Sequence, residues 1–155
     1  MYDRILVPLD GSELAECVLP HVESIAKGCE VQDVVFLRVI EPFEMPSGGD
    51  GPTFTEEDTD RINSQNKATA ESYLTRLKER TQYDGVSIQT KVISGKPAES
   101  IIEYANDNGV DLITIATHGR SGISRWVWGS VTDRVTRSAS VPVLIIRPPG
   151  CPPGI

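Results

Sequence analysis

Two rhythms of apolar residues alternate along this chain. Residues 5–7 (Ile-Leu-Val) are a short apolar run ended by Pro8 and the Asp10-Gly11 pair, the pattern of a buried strand and a turn. Leu14, Val18, Leu19, Val22, Ile25 and Ala26 then return at helical spacing, with Gly28 as a natural stop. Residues 34–40 are nearly all apolar, as expected of a strand covered on both faces. Ile62, Thr69, Ala70, Tyr73, Leu74 and Leu77 mark a second, longer helix. Val86, Ile88 and Val92 alternate with Ser87, Gln89 and Lys91, which predicts a strand with one wet face at a sheet edge. Pro97 opens a third helix carrying Ala98, Ile101, Ile102 and Ala105, and Gly109 ends it. Residues 111–116 predict a fourth strand, 130–138 a fourth helix and 141–147 a last strand, in which Pro142 suits an edge or first position.

Strands that alternate with helices in this way predict an α/β fold of the flavodoxin or Rossmann-like kind. It is a single doubly wound five-stranded parallel sheet with right-handed crossovers and helices on both faces. With the third and fifth strands at the edges, the order is 3-2-1-4-5. The chain then reverses direction between strands 1 and 4, and the ligand crevice of such a sheet lies at the carboxyl ends flanking that point. Two loops meet there, one holding Asp10 and one running from Ala116 to Ser130. The second is a glycine-bearing loop between a strand and a helix. Glycines let the backbone approach an anion, and the first amides of the helix have no internal partners.

Residues 41–60 break the pattern with Pro42, Pro46, Gly48, Gly49, Gly51 and Pro52, and with acidic residues at both ends. They predict a long flexible loop, with disorder favoured over a functional lid. Residues 148–155 are dominated by proline and glycine and predict a disordered tail, leaving 1–147 as one domain.

A length of 155 residues suffices for one sizeable core, and 39% hydrophobic with 24% charged residues is ordinary for a globular chain. The formal charge of −7 argues against nucleic-acid or membrane-surface binding, which needs a basic face. Arg120, Arg125 and Arg134 leave room for a local basic pocket near the special loop. Three cysteines without a CxxC pair point to free thiols rather than disulfides or zinc. The chain enters a strand at once without a signal segment, and no apolar run approaches the ~18 residues that span a bilayer. A cytoplasmic protein is expected. There is no GxxxxGK[ST] phosphate loop and no GxSxG elbow.

Several residues carry a structural reading beside a functional one. Asp10 with Glu13 forms a helix-capping pair, and Ser12 is an alternative cap; the place of Asp10 at the switch point favours a ligand role. Ser130-x-x-Asp133 is a capping box, compatible with a phosphate-holding helix start. His118 reads as loop-shaping rather than catalytic, and Trp126 and Trp128 read as packing anchors. Arg134 and Arg137 read as solvated helix-face charges.

The opening Ile5-Leu-Val-Pro-Leu-Asp-Gly-Ser12 and closing Ser140-Val-Pro-Val-Leu-Ile-Ile-Arg147 resemble the first and last strands of the universal stress protein family. Thr117-His-Gly-Arg-Ser-Gly122 with Gly129-Ser130 resembles the signature loop of its nucleotide-binding branch: glycine, two residues, a second glycine, nine residues, then Gly-Ser or Gly-Thr. Gly119 is the second glycine and Arg120 to Trp128 are the nine spacers, while Ala116 stands where the first glycine belongs. The likeness covers essentially the whole chain and implies an adenine-nucleotide alpha-hydrolase-like fold.

The resemblance also implies ATP or AMP as ligand, with Mg2+ held through the phosphates. Asp10 would take the ribose hydroxyls, and Val39 with the backbone at Pro8 and Leu9 would border the adenine. Gly119, Arg120, Gly129, Ser130, Val131 and Thr132 would surround the phosphates, with Ala116 and His118 completing the site. It further implies a homodimer paired through residues 141–147, and a stress-response regulator with at most slow ATP hydrolysis. A nucleotide-independent dimeric adaptor and an adenylating enzyme of the same fold are the alternatives.

Overall fold

Five parallel strands form one sheet in a computed structural model that describes residues 1–45, 54–117 and 129–149. They are β1 (Arg4–Pro8), β2 (Asp33–Ile40), β3 (Ser87–Ser94), β4 (Leu112–Ala116) and β5 (Val143–Ile146), in the order β3-β2-β1-β4-β5. The helices between them are α1 (Glu13–Glu16), α2 (Leu19–Cys29), α3 (Glu56–Glu79), α4 (Pro97–Asp107) and α5 (Ser130–Ser138). The expected doubly wound order is therefore the observed one.

Both faces of the sheet are buried, which explains why the central strands are apolar throughout rather than alternating. Ile5, Val7, Val34 and Phe36 face Val18, Val22, Leu74 and Leu77 of the α2 and α3 side. Leu6, Val35, Leu37 and Ile113 face Ile101, Ala105 and Val135 of the α4 and α5 side. Each fully buried side chain of this size contributes roughly 1.5–3 kcal/mol. Edge strand β3 is only half covered: Ile88 and Val92 are partly buried while Gln89 and Lys91 are exposed. Among the described residues no helix is long and apolar enough to cross a membrane.

Three local expectations are corrected. The helix read from Leu14 to Ala26 is two helices, because Pro20 lies in the first turn of α2. Its ring would clash with the carbonyl four residues back, so one continuous helix cannot form. α2 also runs past Gly28 to a cap at Glu30, which takes the left-handed conformation at φ 54°. The loop read as 41–60 is shorter at its far end. Thr55 and Asp58 form a capping box, with the Asp58 amide donating to Thr55 Oγ1 at 3.2 Å and the Thr55 amide to Asp58 Oδ2 at 3.0 Å, and α3 starts at Glu56. The ends of this segment are tied down: the Phe43 amide donates to Asn63 Oδ1 at 2.7 Å, and the Phe43 and Phe54 rings meet edge to face at 5.7 Å. Residues 46–53 lie outside the described residues, as does the tail from 150 onward. Pro142 directly precedes β5, where its carbonyl accepts from the Ile113 amide at 3.0 Å. A proline there contributes its acceptor and is asked for no donor.

The two ends of the central strand pair differ. At the amino ends, Asp111 Oδ2 accepts the amides of Asp3 and Arg4, each at 2.9 Å, and Arg4 pairs with Asp33 at 2.9 Å. The ladder between β1 and β4 then runs only through Ile5–Leu112 and Leu6–Ile113, whereas β1 pairs with β2 from Arg4 to Pro8. Past Leu6 the two central strands part company, and a cleft opens between their carboxyl ends. Asp111→Ala is expected to lower stability by about 1–2 kcal/mol, the value of charge-assisted bonds in a partly exposed setting. Urea denaturation checks this; an unchanged midpoint would show that the clamp contributes nothing.

Candidate functional site

Where β1 and β4 diverge there is a cavity of about 670 Å³. Pro8, Leu9 and Asp10 leave β1 on one side of it, and Ala116 and Thr117 leave β4 on the other. Gly129, Ser130, Val131 and Thr132, at the start of α5, close the β4 side, and Val39 lies at the end of β2. The sheet thus brings together residues separated by more than a hundred positions in sequence. The described members of the expected site all line this one cavity. His118, Gly119, Arg120, Arg125, Trp126 and Trp128 lie outside the described residues.

The start of α5 is built differently from the expected capping box. Gly129, not Ser130, is the N-cap, because its carbonyl already accepts the first helical bond, from the Asp133 amide at 2.9 Å. Asp133 is turned to Arg137 instead, at 3.0 Å. Among the described residues no side chain caps this helix. The amides of Ser130, Val131 and Thr132 precede the first intrahelical bond, so the positive end of the helix dipole faces the cavity. Thr132 holds the helix start in place. Its hydroxyl donates to the Ala116 carbonyl at 2.7 Å, so what it can offer a ligand is its backbone amide. Gly129 donates to the Thr117 carbonyl at 2.9 Å, and a Cβ added at Gly129 would lie 3.1 Å from that same oxygen. A larger residue there would press against the end of β4 and narrow the approach to the helix start.

Ala116 occupies the first-glycine position without strain. It is the last residue of β4, in register with Ile146, and among the described residues Glu30 is the one non-glycine with positive φ. On the other side of the cavity, Ser12 proves to be the cap of α1, its Oγ accepting the Ala15 amide at 3.2 Å. Asp10 is therefore no cap. Its Oδ1 accepts from the Ser12 amide at 2.9 Å and the Ser12 hydroxyl at 2.6 Å, which sets the rotation of the carboxylate at the cavity wall.

A third wall was not expected from the sequence. Asn66, Thr69, Tyr73 and Arg76 of α3 also line the cavity. Their spacing of three and four residues places them on one helical face. That spacing was legible, but Thr69 and Tyr73 read only as markers of a second, longer helix. Tyr73 is only half-buried and donates to Glu16 Oε1 at 2.9 Å. Burial, reinforced by the Glu16 carboxylate, keeps its proton well above the ordinary phenol range, so it remains a donor. The lining carries both signs, with Arg38 and Arg76 against Asp10 and Glu41. Arg134 is turned away to an exposed pair with Glu99 at 2.8 Å, in keeping with a helix-face charge rather than a pocket cation.

A doubly wound sheet with its cleft at the strand-order reversal, between an acidic strand tip and a helix start, is an open α/β ligand-crevice fold. The model of the universal stress protein family matches residues 1–147, and the chain belongs to that family. Universal stress protein MJ0577 of Methanocaldococcus jannaschii is 31% identical over 157 residues, covering 95% of this chain and 96% of the relative. Its solved structure superposes with a TM-score of 0.82 at 29% identity, covering 97% and 99% of the two chains. Two more distant structures share the fold. A family member from Arabidopsis thaliana with AMP bound has a TM-score of 0.65 at 16% identity, covering 96% of this chain and 93% of its own. The universal stress protein from Archaeoglobus fulgidus in complex with dAMP has a TM-score of 0.55 at 22% identity, covering 94% and 98%.

Thr132→Val keeps the shape of the side chain and removes the buried bond to the Ala116 carbonyl. It is expected to cost about 1–2 kcal/mol in urea denaturation. A variant as stable as the native protein would show that this bond does not hold α5 to β4.

Proposed function

We propose that this protein is an adenine-nucleotide-binding regulator that takes ATP or AMP in the cleft between β1 and β4. One observation carries the reading: a single cavity holds a carboxylate at one strand tip and, across the switch point, a helix start that no described side chain caps. A nucleotide is a ligand of matching polarity, with vicinal hydroxyls at one end and an anion at the other. A short carboxylate suits the hydroxyls, and the uncapped amides with the helix dipole suit phosphate. In this reading Asp10 accepts from the ribose, and Val39 with the backbone at Pro8 and Leu9 borders the adenine. Gly129, Ser130, Val131 and Thr132 hold the phosphates beside Ala116. His118, Gly119 and Arg120 complete the loop by resemblance to the family's motif, and Arg120 adds a charged fork for the outer phosphates. Mg2+ would be carried by the phosphates rather than by a protein cage. The nucleotides bound to the Arabidopsis and Archaeoglobus relatives support the adenine class.

Two measurements test the reading. At a ligand concentration about a hundredfold above Kd, AMP or ATP should raise Tm by about 5–10 °C, from a linkage energy of about 2.7 kcal/mol. Ser130→Asp places a charge that suits a helix start but repels phosphate. This variant should keep or raise its ligand-free Tm and lose the nucleotide shift. An equal shift in both proteins would remove the phosphates from α5.

We also propose that the protein pairs as a homodimer through β5, which ends the described sheet and carries the run Val143–Ile146. A strand at a sheet edge is a template for a second copy of itself. Sedimentation equilibrium at micromolar concentration should return the mass of two chains, and a monomer would overturn the assignment.

A further inference from the structure

Helix α3 carries Tyr73 and ends at Arg80, and both side chains reach across to α1. Both oxygens of Glu16 are engaged there: Oε1 by the Tyr73 hydroxyl at 2.9 Å and Oε2 by the Arg80 guanidinium at 2.5 Å. Glu16 is the last residue of α1, a helix of four residues. A helix of one turn has too few internal bonds to hold its own geometry, so its position depends on what it is fastened to. At its other end Ser12 caps the helix and donates twice to Asp10 Oδ1. An unbroken run of bonds therefore leads from Tyr73 and Arg80, through Glu16, α1 and Ser12, to the carboxylate of Asp10.

We propose that Tyr73 and Arg80 are positioning residues for Asp10: by holding Glu16 they fix α1 against α3, and α1 holds the Asp10 carboxylate where it meets the two ribose hydroxyls. This rests on the reading of Asp10 given above. It assigns to α3 a part in telling a ribonucleotide from a sugar without those hydroxyls. Tyr73 also lines the cavity beside Asp10 and Ala15, so the tether borders the site it sets. The Asp10 charge reaches the Tyr73 phenol and helps to keep it protonated, so the first link remains a donor. The Glu16 side chain is only 17% exposed, which shields its bonds from competing water.

Isothermal titration of AMP and of its 2′,3′-dideoxy analogue against the native protein, Tyr73→Phe and Arg80→Gln tests this. Phe keeps the ring and its packing, and Arg80 is exposed enough to be replaced without loss of the fold. The native protein should prefer AMP. Tyr73→Phe should weaken AMP about three- to tenfold, the value of one hydrogen bond, and leave the analogue within about twofold. Arg80→Gln should act in the same direction and less, as its pair is more solvated. If AMP and the analogue weaken together, or AMP does not weaken, the tether is structural only and the proposal falls. If the native protein binds the two ligands equally, Asp10 is no ribose ligand and the tether has nothing to position. If it binds neither, the nucleotide reading itself is lost.

Discussion

The site depends on how β1 and β4 are joined. Both faces of the central strands are covered by helices, so their ends are where a ligand can reach them. At the amino end the pair is locked by the Asp111 carboxylate; at the carboxyl end its ladder stops at Leu6 and Ile113. The cause is topological. The chain leaves β1 toward helices on one face and leaves β4 toward α5 on the other, so the two strands part at the switch point. A ladder continued in the same register to Pro8 and Ile115 would close the cavity.

The polarity of the cleft follows from the same arrangement. An acidic strand tip and the positive end of a helix face each other across it, each held by backbone geometry. Asp10 is turned by Ser12, and α5 is pinned to β4 by Thr132 and Gly129. Because these bonds are made within the protein, Asp10 and the start of α5 are already set for the nucleotide that the proposed reading places between them. Such preorganisation lowers the cost of binding. The α3 wall extends the same principle: Tyr73 and Arg80 are bonded to Glu16 before any ligand is present.

Much of this was legible in the sequence. Apolar runs located the five strands, their edge character set the order, and Gly129-Ser130 marked the start of α5. What was missed has physical causes. Pro20 was passed over because the apolar spacing continues on both sides of it, although a proline there must end α1. The start of α3 at Thr55 carried a readable signal, Thr followed by three acidic residues, hidden within a segment rich in proline and glycine. The expected box at Ser130 failed because two adjacent residues could each open the helix, and only backbone direction chose Gly129. Tyr73 was read only as one of the residues that mark a helix, because a helical stripe records which face turns inward, not whether it meets packed side chains or a cavity.

The sequence by itself determined the class of fold, the order of the strands and the two loops that meet at the switch point. Those features follow from local periodicity and from chirality rules that hold for every chain of this pattern. The tertiary structure decided where β1 and β4 separate, which residue caps α5, and that α3 supplies a wall of the cavity and bonds to Glu16. These depend on contacts between residues distant in the chain, such as Glu16 with Arg80 or Thr132 with Ala116. No local pattern encodes such a pair; the sheet had to fold before the partners could meet.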